Sequence, residues 1–440
     1  MLFLRKEILA VVALWSVFLV SGCRRTPPGE QERGRPVVRL GCERFLTSHL
    51  HLVSGKRVGL VTNPTGVDSR LCSLVDLFLE SPEIRLVALY GPEHGVRGNA
   101  QAGEYVPFTR DERSGLPVFS LYGPTRKPPR GMLKDIDAYM RSFDTTEEGK
   151  LLDPGMVQDI DVMVFDIQDV GTRVYTYVAT MAYCMEACAE AGIPFIVFDR
   201  PNPINGRDME GPVLDYPEFS SFVGLYSVPV RHGMTVGELA LLFNDRFLDK
   251  KVRLTVIPME GWQRQMWYDE TGLPWVMPSP NMPTLETAVV YPGQVYLEGT
   301  NVSEGRGTTR PFELFGAPWI DGHDLAKALN HLGLPGAVFR EAWFTPTFSK
   351  YAGELCGGAQ IHVTDRESFR PLMTSLSIIQ VIRKMYPEKF LFHEEYFDRI
   401  MGTDSVRKAL GEGQSVEEIV ESFRPGIDAF GRLRKSYLLY

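Results

Sequence analysis

Four short apolar runs, rich in β-branched residues, alternate with helix-like stretches through the first half of this 440-residue chain. The runs occupy residues 57–62, 85–90, 162–166 and 194–199, and the helix-like stretches occupy residues 75–79 and 175–191. Such alternation is typical of a parallel sheet that is covered by crossover helices. The sequence therefore predicts an α/β fold with a Rossmann-like N-terminal domain built on a parallel sheet.

The pattern changes beyond about residue 259, where loops rich in proline, glycine and tryptophan continue to residue 318. Helices and strands without clear βαβ alternation follow. We therefore expect a Rossmann-like catalytic domain over residues 38–258 and a C-terminal α+β domain over residues 259–440 that completes a cleft. Only the Pro-Met-Glu-Gly segment at 258–261 marks this boundary.

The N-terminal segment has the pattern of an export signal. Two basic residues precede an apolar run at 8–20, and small residues stand directly before Cys23. The run is too short to span a bilayer comfortably. We expect residues 1–23 to be a lipoprotein signal peptide, with Cys23 lipidated, and residues 24–37 to be a flexible tether.

These features predict an exported protein that is lipid-anchored to a bacterial membrane and faces the periplasm or cell envelope. An ordinary signal peptide with an incidental cysteine is the alternative. In an oxidising compartment Cys42 and Cys72 can form a bridge, whereas Cys184 and Cys188, four residues apart on a helix, are expected to be buried small hydrophobes.

Several ligand classes are disfavoured by composition and motifs. The formal net charge is −8 with acids and bases interspersed, which argues against a nucleic-acid surface. The first predicted strand is followed by an Asn-Pro-Thr-Gly turn and not by a dinucleotide-binding G-x-G-x-x-G motif. We expect no cofactor and no metal. A metal held by scattered groups is the open alternative, with these candidate ligands: His94, His232, Asp166 and Asp169.

Polar residues follow each predicted strand directly. Because ligands bind beyond the carboxyl ends of parallel strands, these side chains are expected to converge on one edge of the sheet. Acid and amide groups together suggest polyol recognition. For the two aspartates after the third and fourth strands, helix capping or pairing with a nearby arginine is the alternative. The strand-end candidates are Asn63, Glu93, His94, Asp166, Gln168, Asp169, Asp199, Arg200 and Asn202.

Two polar loops in the second half complete the predicted site. They contribute Asn281 and a stretch at 298–309 that is dense in Gly, Glu, Ser, Thr and Arg. The flanking aromatic residues are Trp275, Tyr291, Tyr296, Phe312, Phe315 and Trp319. Flat apolar faces beside acids and amides point towards a carbohydrate ligand.

Seven segments resemble the NamZ-type exo-β-N-acetylmuramidases, a family first described as a domain of unknown function. In chain order they are residues 59–63, 91–95, 165–171, 199–203, 232–239, 279–284 and 298–308. The resemblance implies a glycoside hydrolase that releases N-acetylmuramic acid (MurNAc) from the non-reducing end of peptidoglycan fragments such as MurNAc-GlcNAc. Residues 131–155 depart from the family pattern and are expected to form a surface insertion.

Glycosidases normally place two carboxyl groups beside the scissile bond. We expect Glu93 to be the general acid, with His94 tuning it, and rank Glu304 over Asp169 and Glu298 as the second group. An alternative is substrate assistance, in which the acetamido oxygen replaces the protein nucleophile.

The other candidates are expected to bind substrate. The lactyl carboxylate of MurNAc would require an arginine, Arg306 or Arg200. The remaining candidates for substrate binding are Asn63, Asp166, Gln168, Asn202, His232, Asn281 and Ser303. The competing hypothesis is a lipid-anchored sugar or muropeptide-binding protein without hydrolytic activity.

Overall fold

A computed structural model describes residues 38–98, 109–121, 130–134 and 159–440 of the chain. Its central element is a seven-stranded sheet of order β3-β4-β2-β1-β5-β6-β9. All neighbouring pairs are parallel except β3 with β4. The strands are β1 Arg57–Thr62, β2 Arg85–Gly91, β3 Thr109–Arg110, β4 Pro117–Ser120, β5 Val162–Asp166, β6 Phe195–Phe198 and β9 Leu254–Ile257. The predicted Rossmann-like α/β fold is confirmed.

The central strands are buried on both faces, so their side chains pack into two separate hydrophobic cores, one on each face of the sheet. In β5, Val162 and Val164 enter one core, whereas Met163 and Phe165 enter the other. This explains why the strands read as continuous apolar runs and not as an alternating pattern. The helices that cover the two faces are α1 Gly41–Ser48, α2 Leu74–Glu80, α3 Arg130–Leu133, α4 Tyr177–Ala191 and α5 Val236–Arg246.

The second half of the chain is built on helices and a small antiparallel sheet of order β10-β12-β11. Its strands are β10 Leu314–Ala317, β11 Ala337–Phe344 and β12 Cys356–Val363, while β7 Glu210–Val213 and β8 Pro229–Arg231 form a separate ribbon. The helices are α6 Leu285–Gln294, α7 Gly322–His331, α8 Pro371–Met385, α9 Glu394–Met401, α10 Ser405–Glu412, α11 Val416–Ser422 and α12 Arg424–Arg434. Apart from β7 and β8, which precede residue 259, these elements make the predicted C-terminal α+β part.

The segment that follows β9 packs against the N-terminal sheet. Trp262, Tyr268 and Leu273 join the same hydrophobic core as β1 and α2, and the Val38 amide donates to the Thr271 carbonyl. The described residues from 38 onward belong to one compact unit. The domain boundary at 258/259 stays a prediction.

Of the two expectations for the cysteines, one is wrong and the other is confirmed. Cys42 is a free, buried thiol, so the Cys42–Cys72 bridge does not form. Cys184 and Cys188 are free and buried in the core, as expected. Cys23, with the signal peptide, the tether and most of the insertion at 131–155, lies outside the described residues. Within the described ranges, no helix is both long and apolar enough to cross a membrane.

Candidate active site

A cavity of about 710 Å³ is lined by residues from both halves of the chain. The N-terminal half contributes the loop after β2 and the start of α4, and the second half contributes loops around residues 281, 304 and 349 together with part of α9. Six of the predicted site residues line this cavity: Glu93, His94, Asn281, Glu298, Glu304 and Arg306.

Glu93 is held at the cavity by a turn and by a hydrogen bond. It stands two residues after β2, and the two residues that follow it, His94 and Gly95, have φ of 73° and 75°. A left-handed conformation at a residue other than glycine is uncommon and clusters at functional sites. The Thr176 hydroxyl donates to Glu93 Oε2 at 2.8 Å. Thr176 is the residue that directly precedes α4, and its side chain makes no capping bond to that helix.

A charged cluster, which we name the acidic wall, contributes three lining residues to the cavity. The cluster consists of Glu298, Glu304 and Arg306, which line the cavity, and Lys350, which binds Glu304. Arg306 Nη2 donates to Glu298 Oε1 at 2.7 Å, and Arg306 Nε lies 3.4 Å from Glu304 Oε1. Lys350 Nζ donates to Glu304 Oε2 at 3.0 Å. Both carboxylates thus have a cation within hydrogen-bonding distance.

Two aromatic residues support this arrangement. The Arg306 guanidinium lies 5.0 Å from the centre of the Phe312 ring, and the Tyr396 hydroxyl donates to Glu298 Oε2 at 2.9 Å. Burial, together with the Glu298 carboxylate, raises the pKa of Tyr396, so this phenol remains a hydrogen-bond donor. Burial disfavours the charged form of Arg306, yet Glu298 and Glu304 raise the pKa of its guanidinium. Arg306 and Tyr396 therefore both act as hydrogen-bond donors to Glu298.

Lys350 is a site residue that sequence reasoning missed. Its ammonium also donates to the carbonyl oxygens of Leu297 at 2.8 Å and Val302 at 3.0 Å. The residues on either side of it, Ser349 and Tyr351, have φ of 70° and 58°. A single lysine in a polar loop 46 residues from Glu304 carries no sequence signal, because only the fold brings the two together.

The aromatic lining differs in part from the expected set. Tyr291 and Phe312 line the cavity, and their rings meet edge to face at 4.9 Å. Tyr175 and Tyr177, not among the expected aromatics, line it as well. The other predicted platforms lie in the hydrophobic core or against it, because their faces are covered by protein: Trp275, Tyr296, Phe315 and Trp319.

Two charged candidates after β5 and β6 bind each other. Arg200 Nε and Nη2 donate to the two oxygens of Asp166 at 2.6 and 2.7 Å, and Arg200 Nη2 also donates to the Val67 carbonyl. Asp166 is fully buried, and Arg200 is 3% exposed. Neither lines the main cavity. The expectation that Arg200 clamps a substrate carboxylate, or that Asp166 binds sugar, is not supported, because each group is saturated by the other.

Other strand-end side chains are used within the protein. Asn63 Oδ1 accepts hydrogen bonds from the backbone and hydroxyl of Thr65 at 2.9 and 2.6 Å, which shapes the turn after β1. Gln168 Nε2 donates to the Asp169 and Pro201 carbonyls, both at 2.7 Å. Asn202 Nδ2 donates to the Met234 carbonyl at 3.0 Å. These amides organise loops and do not line the main cavity.

The remaining candidates also lie outside the main cavity. Asp169 Oδ2 accepts from the Gly171 amide at 2.7 Å, and His232 Nε2 lies 3.8 Å from the same oxygen. Ser303 Oγ accepts from the Gly305 amide at 3.2 Å. Because Asp169 does not line the main cavity, whereas Glu304 does, the structure does not support Asp169 as the second carboxylate. The described residues hold no cluster of three or more His, Cys, Asp or Glu with metal-ligand geometry.

The arrangement can support acid–base chemistry on a neutral ring. One carboxyl group, Glu93, is partly exposed to the cavity and hydrogen-bonded to a neutral hydroxyl. Two others, Glu298 and Glu304, line the same cavity and are ion-paired. Aromatic rings also line this cavity and offer apolar surfaces to a ligand. One carboxyl group that is hydrogen-bonded to a hydroxyl, and others that are paired with cations, match the different environments that glycosidases give their two carboxyl groups.

This chain is similar to known proteins along nearly its whole length. Family models of exo-beta-N-acetylmuramidase NamZ match the chain, the N-terminal model over residues 58–146 and 143–286 and the C-terminal model over 289–440. The peptidoglycan beta-N-acetylmuramidase NamZ of Bacillus subtilis (strain 168) is 48% identical over 440 residues, which covers 99% of this chain and 100% of that protein.

Two solved structures share the fold. Both are crystal structures of DUF1343 family proteins from Bacteroides fragilis NCTC 9343. One is 37% identical with a TM-score of 0.80 and covers 92% of this chain and 100% of that chain. The other is 31% identical with a TM-score of 0.71 and covers 92% of this chain and 99% of that chain. The family resemblance inferred from the seven segments is confirmed, and this chain belongs to the NamZ family of exo-β-N-acetylmuramidases.

Proposed function

We propose that this protein is a glycoside hydrolase that releases MurNAc from the non-reducing end of peptidoglycan fragments such as MurNAc-GlcNAc. The single observation that carries the proposal is one cavity that is lined by Glu93 and by Glu298, Glu304 and Arg306 of the acidic wall. Its volume of about 710 Å³ falls within the range of small-ligand sites, roughly 300–1,000 Å³. The name of the Bacillus subtilis relative supports the same activity.

In this mechanism Glu93 is the general acid. Its proton passes to the glycosidic oxygen as the bond from that oxygen to the anomeric carbon breaks. The ionised Glu304, held by Lys350 and Arg306, is the second carboxylate and stabilises positive charge that develops on the sugar ring. Water completes the hydrolysis at the anomeric carbon. Tyr291 and Phe312 provide surfaces for the ring.

Product analysis with MurNAc-GlcNAc tests the activity. The purified protein is expected to produce free MurNAc and free GlcNAc in equal amounts. Cleavage confined to the interior of long glycan strands would contradict the exo-acting assignment. Tight binding of the disaccharide without any product would instead favour the sugar-binding hypothesis, for which the same cavity would serve as a ligand site.

We also propose that the protein is exported and lipid-anchored through Cys23, facing the periplasm or cell envelope. The support is the sequence pattern before Cys23: a basic start, an apolar run at 8–20 and small residues at 21–22. A lipid anchor would keep the enzyme close to its wall-derived substrate.

Replacing the thiol tests the anchor. Cys23→Ala is expected to abolish uptake of labelled fatty acid and to move the protein from the membrane to the soluble fraction. Ser21→Ala, which keeps a small residue before the cysteine, is the matched control and should retain both properties. Continued labelling of the Cys23→Ala protein would rule out this lipidation site.

A further inference from the structure

An anionic substrate needs a cation that is not already neutralised by the protein. Arg200 is buried against Asp166. Arg306 pairs with both Glu298 and Glu304. A substrate carboxylate that approached Arg306 would also meet these two acids. Neither arginine that the sequence suggested is therefore suited to hold the lactyl carboxylate of MurNAc.

A third arginine, Arg399, lines the same cavity from the last turn of α9. It is exposed and, within the described ranges, makes no ion pair or hydrogen bond to another residue. Three carboxyl groups line this cavity, whereas the other arginine that lines it is doubly paired. Arg399 is the lining arginine whose guanidinium is available to an incoming anion.

The helix that carries Arg399 is fixed to the rest of the protein on both sides of it. Buried Arg173, from the N-terminal half, donates to the carbonyls of Ile400 at 3.1 Å and Met401 at 2.6 Å. One turn before Arg399, the Tyr396 hydroxyl reaches Glu298. The backbone that presents Arg399 is thus held in place before any ligand binds, which reduces the entropic cost of binding.

We propose that Arg399 binds the lactyl carboxylate of MurNAc and so makes the site prefer muramic acid to N-acetylglucosamine. This inference rests on the proposed function. The two sugars differ only by the 3-O-lactyl group, so a residue that recognises the carboxylate selects between them. A guanidinium offers two parallel N–H donors to a carboxylate, a charge-assisted pairing.

The test combines a variant with a change in the substrate. Hydrolysis of 4-nitrophenyl β-MurNAc is compared with hydrolysis of the same glycoside whose lactyl carboxylate has been converted to a carboxamide. Arg399→Ala is expected to lower kcat/KM for the free acid about 10- to 100-fold, mainly through KM. On the carboxamide the same variant should lose less than about twofold, because the interaction is already absent. Arg399→Lys should recover part of the loss, since it restores charge without the paired donors.

Lys384→Ala, which removes an exposed positive charge from the neighbouring helix α8 outside the cavity, is the control and should match the wild type on both substrates. Equal losses on the free acid and the carboxamide, or no loss on either, would overturn the role of Arg399. Absence of hydrolysis by the wild type would contradict the proposed function instead. In that case calorimetric binding of MurNAc decides the inference: weaker binding by Arg399→Ala supports it, and equal binding overturns it.

Discussion

Two groups of acids and arginines in this protein look alike in sequence but differ in their surroundings. The strand-end group, Asp166, Asp199 and Arg200, is at most 3% exposed. In the acidic wall, the side chains of Glu298, Arg306 and Glu304 are 15%, 20% and 3% exposed, and all three line a cavity. The charges of both groups have protein partners, but only those of the acidic wall also border a space that a ligand can enter.

The difference teaches how a buried charge and a catalytic charge can be told apart. Asp199 accepts hydrogen bonds from the Gly237 amide, the Thr235 hydroxyl and the Tyr440 hydroxyl, all at 2.7 Å. The Asp199 carboxyl group thus links the end of β6 to the start of α5 and to Tyr440 through hydrogen bonds. We therefore expect substitutions in the strand-end group to change stability, and those around the cavity to change rate.

The largest effect on rate is expected from Glu93→Gln. The amide keeps the shape and can still accept the Thr176 hydrogen bond, but it has no proton to give to the leaving oxygen. Turnover of MurNAc-GlcNAc should fall by about 10²- to 10⁴-fold with an unchanged midpoint of urea unfolding. The defect should be smaller on the nitrophenyl glycoside, whose leaving group needs little protonation.

Exposed Glu286, in the first turn of α6, provides the control: Glu286→Gln should leave both rates unchanged. Equal defects of Glu93→Gln on the two substrates would indicate a nucleophilic or orienting role. Wild-type rates of Glu93→Gln on both substrates would show that another residue is the general acid, and Glu304 would be tested next.

Arg200→Met should lower the stability of the protein and have little effect on its rate, the opposite of Glu93→Gln. It leaves the buried Asp166 carboxylate without its partner, and breaking a buried pair from one side costs about 3–5 kcal/mol. Chemical denaturation should show this loss, while kcat of the folded fraction should stay within about threefold of the wild type. Arg424→Met, which removes an exposed arginine paired with Glu421, should leave the unfolding midpoint unchanged. A variant of unchanged stability but greatly reduced turnover would assign Arg200 to the site after all.

Lys350→Met is expected to have a moderate effect on rate. Glu304 then keeps only the longer contact to Arg306, at 3.4 Å, and loses the 3.0 Å bond to the ammonium. We expect kcat/KM to fall roughly tenfold, or about 1.4 kcal/mol in transition-state stabilisation. Lys350→Arg, which retains a cation, should recover most of the rate in steady-state assays. If Met and Arg variants are equally impaired, packing of the loop and not the charge on Glu304 is responsible.

The last prediction concerns the pH dependence of stability. Burial, with the nearby Glu238 carboxylate, raises the pKa of Asp199 to about 7. The carboxyl group of the unfolded chain ionises near its ordinary value of about 4. Protonation therefore favours the folded state, and the stability contributed by Asp199 is fully present below about pH 4 and is lost as the pH rises towards 7.

Urea unfolding at pH 5 and pH 8 measures this contribution. The wild type should lose more unfolding free energy between the two pH values than Asp199→Asn, in which position 199 no longer titrates. Because Asp199 does not line the cavity, the pH profile of turnover should be the same in both proteins. An identical loss of stability in wild type and variant would show that other groups set the pH dependence.

The sequence by itself determined the architecture and the family. Buried strands of a parallel sheet must be apolar on both faces, so the runs at 57–62, 85–90, 162–166 and 194–199 were readable as strands without any structure. Turn chemistry around Glu93 and His94, and the loop at 298–308, were readable for a similar reason. The residues that define these loops are adjacent in sequence, so the sequence alone is enough to recognise them.

Only the tertiary structure decided which polar residues are available to a ligand. Asp166, Asp169 and Glu93 all follow strands of the same sheet, yet only Glu93 lines the main cavity. Lys350 reaches Glu304 from the loop that joins β11 to β12, and Arg399 lines the cavity from helix α9. Whether a charge is saturated or available depends on partners that are distant in sequence, and their approach is set by packing of the whole chain.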